Sequence, residues 1–185
     1  MASVFSHAAA ALGLAACFYN PRAPKRVWIV GTACSVLPDI DVIGLQHGIR
    51  YGDFWGHRGF THSLAFAAIL ASLVLFVAFR GVTFGMSYPA LWFYLFLATA
   101  SHGILDAFTD GGLGVAFFAP FDNHRYFFPW RPILVSPIGV SRFFTARGLA
   151  VLRSELVWIW LPALLVAALV FPLRRRDSAP GSRQT

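Results

Sequence analysis

Histidine and aspartate recur in this chain at spacings suited to metal chemistry. His7 lies near the amino end, Asp39 and Asp41 stand in LPDID, His57 and His62 frame HRGFTH with Arg58 between them, and His102 and Asp106 share SHGILDAF. Imidazole with carboxylate and no thiolate is the ligand set of zinc, manganese and iron hydrolytic sites. Cys17 and Cys34 each sit alone in an apolar stretch without CxxC spacing, which argues against a thiolate site. The candidate ligands are therefore His7, Asp39, Asp41, His57, His62, His102 and Asp106. They would hold one or two divalent transition ions, zinc first, with manganese and iron as the other candidates. Such an ion lowers the pKa of a bound water to about 7 and polarises a scissile bond. A carboxylate of the LPDID pair, Asp39 or Asp41, would act as general base if left off the metal. Arg58, Arg125 and Arg131 are candidates to hold an anionic substrate such as a phosphate, with Arg58 meeting the substrate beside the metal.

The spacings constrain the elements that carry these groups. His102, Asp106 and Asp110 are each four apart and share one helix face, which Gly111-Gly112 then ends. Asp110 is either a further ligand or the end of that helix, and His7 either a ligand or a packing residue. Asp39 and Asp41 follow Pro38, and a two-residue step needs a broken or capped helix to bring both carboxylates to one point. His57 and His62 are five apart, about 140° around a continuous helix, which is not one face. HRGFT therefore reads as a loop with Gly59 as its flexible point and Thr61 or Ser63 as the cap of the next helix.

These polar residues are scarce in their setting. The 185 residues are 57% hydrophobic, 16% aromatic and 12% charged, with a mean hydropathy of +0.63. Soluble domains run about 25% charged, so the composition is that of a membrane protein. Five apolar runs, roughly residues 3 to 19, 27 to 45, 63 to 79, 89 to 108 and 156 to 173, are each about 17 to 20 residues, enough for a helix across roughly 30 Å of hydrocarbon. Unpaired backbone is too costly in lipid for anything but helices or a closed barrel. The expectation is an all-α, polytopic membrane bundle of about five transmembrane or re-entrant helices, one domain over residues 1–173, with a disordered basic tail over 174–185. Between the last two runs, an aromatic and arginine-rich segment with Pro and Gly punctuation reads as an interfacial cap. Leu14-Ala15-Ala16-Cys17 has the lettering of a lipoprotein cleavage site, but residues 1 to 13 lack the basic flank that a signal peptide needs.

If all five runs cross, Arg22, Lys25, Arg26, Arg80, Arg174 to Arg176 and Arg183 share one face, with only Asp177 for an acid. The other face mixes seven basic residues with all seven remaining acids, as a polar site would. The same alternation brings His7, LPDID, HRGFTHS and the end of the fourth run to that mixed face. The positive-inside rule makes the basic face cytoplasmic, and the carboxyl terminus with it. The metal site then faces the periplasm. The net charge of +7 sits in loops between apolar runs rather than in a polar stripe, which argues for headgroup contacts and against nucleic acid.

At these residues the chain resembles the YdjM-like family of predicted inner-membrane metal-dependent hydrolases. The motifs that carry the resemblance are SHAAAALGL with His7, LPDID, GHRGFTHS with His57, Arg58, His62 and Ser63, and SHGILDAFTDGG with His102, Asp106 and Thr109. It spans roughly residues 6 to 140, and HRGFTHS is its most specific piece. The resemblance implies a multi-pass enzyme of the bacterial inner membrane. A fainter likeness to zinc-dependent phospholipase C and nuclease-type phosphoesterases points to an ester or phosphoester of a lipid-like amphiphile as substrate. Its partners are then membrane lipid and an amphiphilic or phosphorylated small molecule. The alternative from another class is a proton- or metal-ion transporter using the same His/Asp cluster, since intramembrane ionisable groups serve such paths too.

Overall fold

The computed structural model describes residues 1–81 and 84–177. The described residues are helical with irregular connections, and their only bridges of extended chain are the isolated pairs Thr109–Ile133 and Val115–Tyr126. Each apolar run became a helix. Run one is α1, Val4–Cys17. Run two is α2, Lys25–Val36, which tightens into a 3-10 turn over Leu37–Asp41 and continues as α3, Val42–Gln46. Run three is α4, Leu64–Ala78, and run four is α5, Tyr88–Ala107. After the short α6, Val140–Phe143, come α7, Ala146–Glu155, a π turn over Leu156–Trp160 and α8, Leu161–Asp177.

Three of these stretches, Lys25–Gln46, Tyr88–Ala107 and Ala146–Arg176, are long and apolar enough to cross a membrane. α1 and α4, with 14 and 15 residues, are shorter than the runs that predicted them. They reach only about 21 to 23 Å at ~1.5 Å per residue, short of the hydrocarbon thickness. Ser63 sets the start of α4 by accepting the Phe66 N–H, and Phe79 leaves the helix just before Arg80-Gly81. α8 runs past the expected boundary at residue 174 and carries Arg174 to Arg176 as helix; residues 178–185, the rest of the expected tail, lie outside the described residues.

α5 is central and packs against α1, α2 and α4, while α8 lies along α1. Small residues permit the close approach: a Cβ at Gly13 of α1 would sit 2.9 Å from the Ala163 Cβ of α8. Val27, Leu91, Tyr94 and Leu95 fill the centre of the bundle. The outer face of α8 exposes Leu164, Leu165, Leu169 and Leu173, as a lipid-facing surface would. At one end the loop 18–24 meets residues 84–87, where Asn20 Nδ2 donates to the Gly85 carbonyl and the Arg26 guanidinium lies over Phe84. The helix ends bearing the His/Asp motifs gather at the other, capped by the aromatic segment 108–139. That segment is tied down by Ala116 N–H to Arg58 O, Leu64 N–H to Phe117 O and Phe128 N–H to Ala107 O.

Candidate metal centre

Pro38 lacks the N–H that would continue α2, so the chain winds more tightly through LPDID. In that turn Asp39 and Asp41 point to different sides rather than to one point, and His62 stands between them. Its Nε2 is 3.7 Å from Asp39 Oδ1 and its Nδ1 is 3.2 Å from Asp41 Oδ2. His62 arrives from a 3-10 turn, Phe60–His62, that precedes α4. His102 and Asp106, one turn apart on α5, face the same centre as Asp39.

Four residues thereby converge: Asp39, His62, His102 and Asp106 each offer one ligand atom, and these atoms all lie within 4.8 Å of one another. The two imidazole nitrogens are 3.0 Å apart. His102 Nε2 is 3.3 Å from Asp39 Oδ1, and His62 Nε2 is 3.6 Å from Asp106 Oδ2. The ligand-to-ligand edge of a tetrahedral zinc sphere with bonds of ~2.0 to 2.1 Å is about 3.3 Å. Both Asp39 oxygens and Asp106 Oδ2 are buried without a hydrogen-bond partner, an arrangement costly unless a cation meets them. The residues present therefore fit a divalent ion.

The tautomers point the same way. His102 Nδ1 lies 2.7 Å from the Ser35 carbonyl, which can only accept, so that nitrogen carries the proton and Nε2 presents its lone pair. His62 Nδ1 faces the Asp41 carboxylate and is likewise a donor, leaving its own Nε2 turned inward. Two lone pairs 3.0 Å apart repel unless a proton or a metal ion lies between them. Without metal, a proton takes that place. Burial opposes charge on His62, but Asp106, Asp39 and Asp41 outweigh it and hold its pKa up to about 10.

Asp41 is not a member of the foursome. Its carboxylate accepts from His57 Nδ1 at 2.7 Å, the Arg58 N–H at 3.2 Å and the Thr61 hydroxyl at 2.7 Å, besides facing His62. It is the carboxylate behind the ligand histidine, which fixes ring orientation and tautomer. Asp41, His57 and His62 form a second buried triple that shares His62 with the first. Burial lowers the His57 pKa against the pull of Asp41. His7 stacks on His102 with ring centroids 3.6 Å apart, and its Nε2 sits 3.5 Å from Asp106 Oδ1, outside the foursome.

Two of the three arginines are held by the protein itself. Arg58 is fully buried and in the left-handed region at φ 64. Its Nε pairs with Asp106 Oδ2 at 3.1 Å, poorly aligned for a hydrogen bond, while the terminal nitrogens donate to Gly111 O and Thr109 Oγ1, both at 2.8 Å. A guanidinium so enclosed balances charge and cannot meet a substrate. Arg125 donates to the carbonyls of His57, Tyr51 and Asp53 and so clamps the loop before α4. Arg131 is exposed, with its guanidinium over the Phe127 ring. Asp110 falls beyond the end of α5 and accepts the Val135 N–H.

The whole chain, not just its site, has relatives. A model of the YdjM inner membrane protein family matches residues 1–178. The chain belongs to the YdjM inner membrane protein family. Inner membrane protein YbcI of Escherichia coli (strain K12), similar over its full length, is 38% identical across 95% of this chain. No solved structure matches. Family membership and the apolar helices together make this an inner-membrane protein.

Other contributors to the YdjM-family site escaped sequence reasoning. The Ala2 N–H donates to Asp106 Oδ1 at 2.6 Å, and the buried Glu155 carboxylate holds the start of α1 through the Ser3 and Ser6 hydroxyls. A lone acid just ahead of the last apolar run was the available signal for Glu155. Backbone partners such as the Ser35 carbonyl and the Ala2 N–H leave no signal in side-chain identity.

Proposed function

We propose that the protein is a membrane-embedded, metal-dependent hydrolase that holds one divalent transition ion, zinc first, on Asp39, His62, His102 and Asp106. The observation that carries this reading is the pair of Nε2 lone pairs 3.0 Å apart beside buried carboxylate oxygens that accept no hydrogen bond. Charge supports a single ion. The Arg58 guanidinium and the Met1 amino group both act on Asp106, which leaves Asp39 as the carboxylate for a divalent cation to neutralise.

When bound there, the ion would supply Lewis acidity to polarise a scissile bond and acidify a water. The chain's own residues supply the rest. Asp41 and the Ser35 carbonyl fix the ligand rings, and Arg58 steadies Asp106. Asp41 is saturated with donors, so the general-base role would fall to Asp39, whose oxygens carry no hydrogen bond and which, by standing off the ion in that step, would leave water the open position that catalysis needs. Hydrolysis puts the water oxygen on the acyl or phosphoryl group and its proton, by way of Asp39, on the departing alkoxide. The substrate class is an ester or phosphoester of a lipid-like amphiphile, met at the membrane surface under the aromatic cap. The site end faces the periplasm and the carboxyl terminus the cytoplasm, as the concentration of bases at the opposite end supports.

The test is metal content. Purified protein should carry close to one transition ion per chain by elemental analysis, and His62→Ala should carry none. Ester hydrolysis should vanish on chelation and return with zinc. An unaltered metal content in His62→Ala, or hydrolysis indifferent to chelation, overturns the reading. Metal-dependent ion flux in liposomes without hydrolysis would favour the transporter alternative, although α4 offers it Ser72 alone and α8 no polar side chain between Leu161 and Phe171.

A further inference from the structure

His62, His102 and Asp106 have fully buried side chains, whereas the Asp39 side chain is 11% exposed. Both Asp39 oxygens are buried, but its side chain is the member of the centre that borders a cavity. What lies beyond Asp39 is a cavity of about 410 Å³ between the start of α1, the 3-10 turn and the segment ahead of α6. Phe5, Val42, Pro137, Ile138, Phe143 and Phe144 line it, and no lysine or arginine does. Its rim is exposed and aromatic: Phe144 is 77% exposed and Phe5 51%. The volume is in the range of small-molecule sites, and its wall of carbon around one carboxylate suits an apolar group with a polar end.

We infer that this cavity receives a single hydrocarbon chain of a membrane amphiphile, with an uncharged carboxylic ester at the Asp39 end. The inference rests on the hydrolase reading for its ester and on the cavity for its chain. The charge inventory selects the neutral ester, since the one cationic group in the lining, the Met1 α-amino group, is already engaged by Asp106. A phosphomonoester brings about two negative charges, and the arginines near the centre cannot meet them: Arg58 is sealed against Asp106 and Arg125 is spent on three carbonyls. Asp39 in the wall would repel a phosphate further. A neutral ester asks for no cation beyond the ion itself. The aromatic rim supplies the amphipathic surface through which a chain leaves the bilayer.

The experiment uses the full chain in mixed micelles and a diazirine-bearing alkyl chain that ends in an ether in place of the ester. Photolabelling should concentrate on Val42, Ile138 and Phe144. Val42→Trp and Ile138→Trp, which fill the cavity from opposite walls, should each lower labelling by about tenfold, as for a binding loss of ~1.4 kcal/mol. Both variants should retain the wild-type metal content, and Leu165→Trp on the lipid face of α8 should label like the wild type. A long-chain alkyl ether should compete with the label, and a long-chain alkyl phosphate should not. Labelling spread over α8, or unchanged in both cavity variants, overturns the chain site and leaves the metal centre standing. Better competition by the alkyl phosphate overturns the neutral ester. Focused labelling in a protein that carries no metal overturns the hydrolase reading and, with it, the assignment of an ester.

Discussion

At the scale of single residues, His62 organises the centre because each of its nitrogens has a different neighbour. Nε2 faces Asp39, Asp106 and His102, and Nδ1 faces Asp41. Metal must displace the proton that these carboxylates hold on the ring up to about pH 10. Because the metal-free pKa is raised, the competing proton is bound below that value and lost above it. Apparent zinc affinity should therefore rise with pH through the neutral range, by about tenfold per unit while one proton is released. Competition titration between pH 6 and 9 measures the slope, and a flat profile would contradict the proton-for-metal exchange. Asp41→Asn should weaken zinc by about 10- to 100-fold without abolishing it, since the change lies behind a ligand and not on it. Arg58→Ala tests the buried pair differently. It leaves Asp106 without its guanidinium, and loss of one partner from a buried ion pair costs about 3 to 5 kcal/mol. Thermal unfolding in detergent should show a clear loss of stability, even with zinc present.

At the scale of elements, the site depends on how closely α5 approaches the turn that carries His62. Gly103 stands between His102 and Asp106 in the helix, and a Cβ there would meet the His62 carbonyl at 2.7 Å. Helix propensity alone predicts that Gly103→Ala stabilises α5 by about 0.8 to 1.0 kcal/mol. The contact opposes it, because the neighbour is backbone and cannot rotate away. The contact should win: α5 shifts off the turn, His102 and Asp106 move relative to His62, and zinc affinity falls while the helical circular dichroism signal holds. The apolar runs and the convergence of HRGFTHS, LPDID and SHGILDAF at one end were legible in the sequence because both follow from hydrophobic length and alternating direction. The division between Asp39 and Asp41 was not, because it depends on a 3-10 turn in place of α-helix after Pro38. The loop was expected to bend at Gly59, yet Arg58 takes the left-handed conformation, while Gly59 is needed because a Cβ there would collide with the Phe54 carbonyl. Both are properties of backbone winding and close packing, on which residue spacing is silent.

At the scale of the whole molecule, the two ends differ in charge more than in shape. One end joins Arg22, Lys25, Arg26 and Arg80 with the basic end of α8. The other sets arginines beside nearly every acid in the chain and spends several of them internally, as Arg58 and Arg125 show. Internally paired arginines contribute little to retention on the cytoplasmic side, so the effective bias is larger than a raw count of eight basic residues against seven suggests. On the proposed orientation, this bias would hold the opposite end in the cytoplasm and leave the site end in the periplasm. In a background with Cys17→Ala and Cys34→Ala, an Asn123→Cys variant, exposed in the aromatic cap, should react with an impermeant maleimide added to spheroplasts. Arg22→Cys, exposed at the opposite end, should react only after the membrane is permeabilised. The reverse pattern would turn the site to the cytoplasm, and the amphiphile would then come from the inner leaflet. Moving positive charge tests the cause: Lys25→Glu with Arg26→Glu should increase the fraction of chains in which Asn123→Cys is protected, because it removes two determinants from the retained end while the His/Asp centre is untouched.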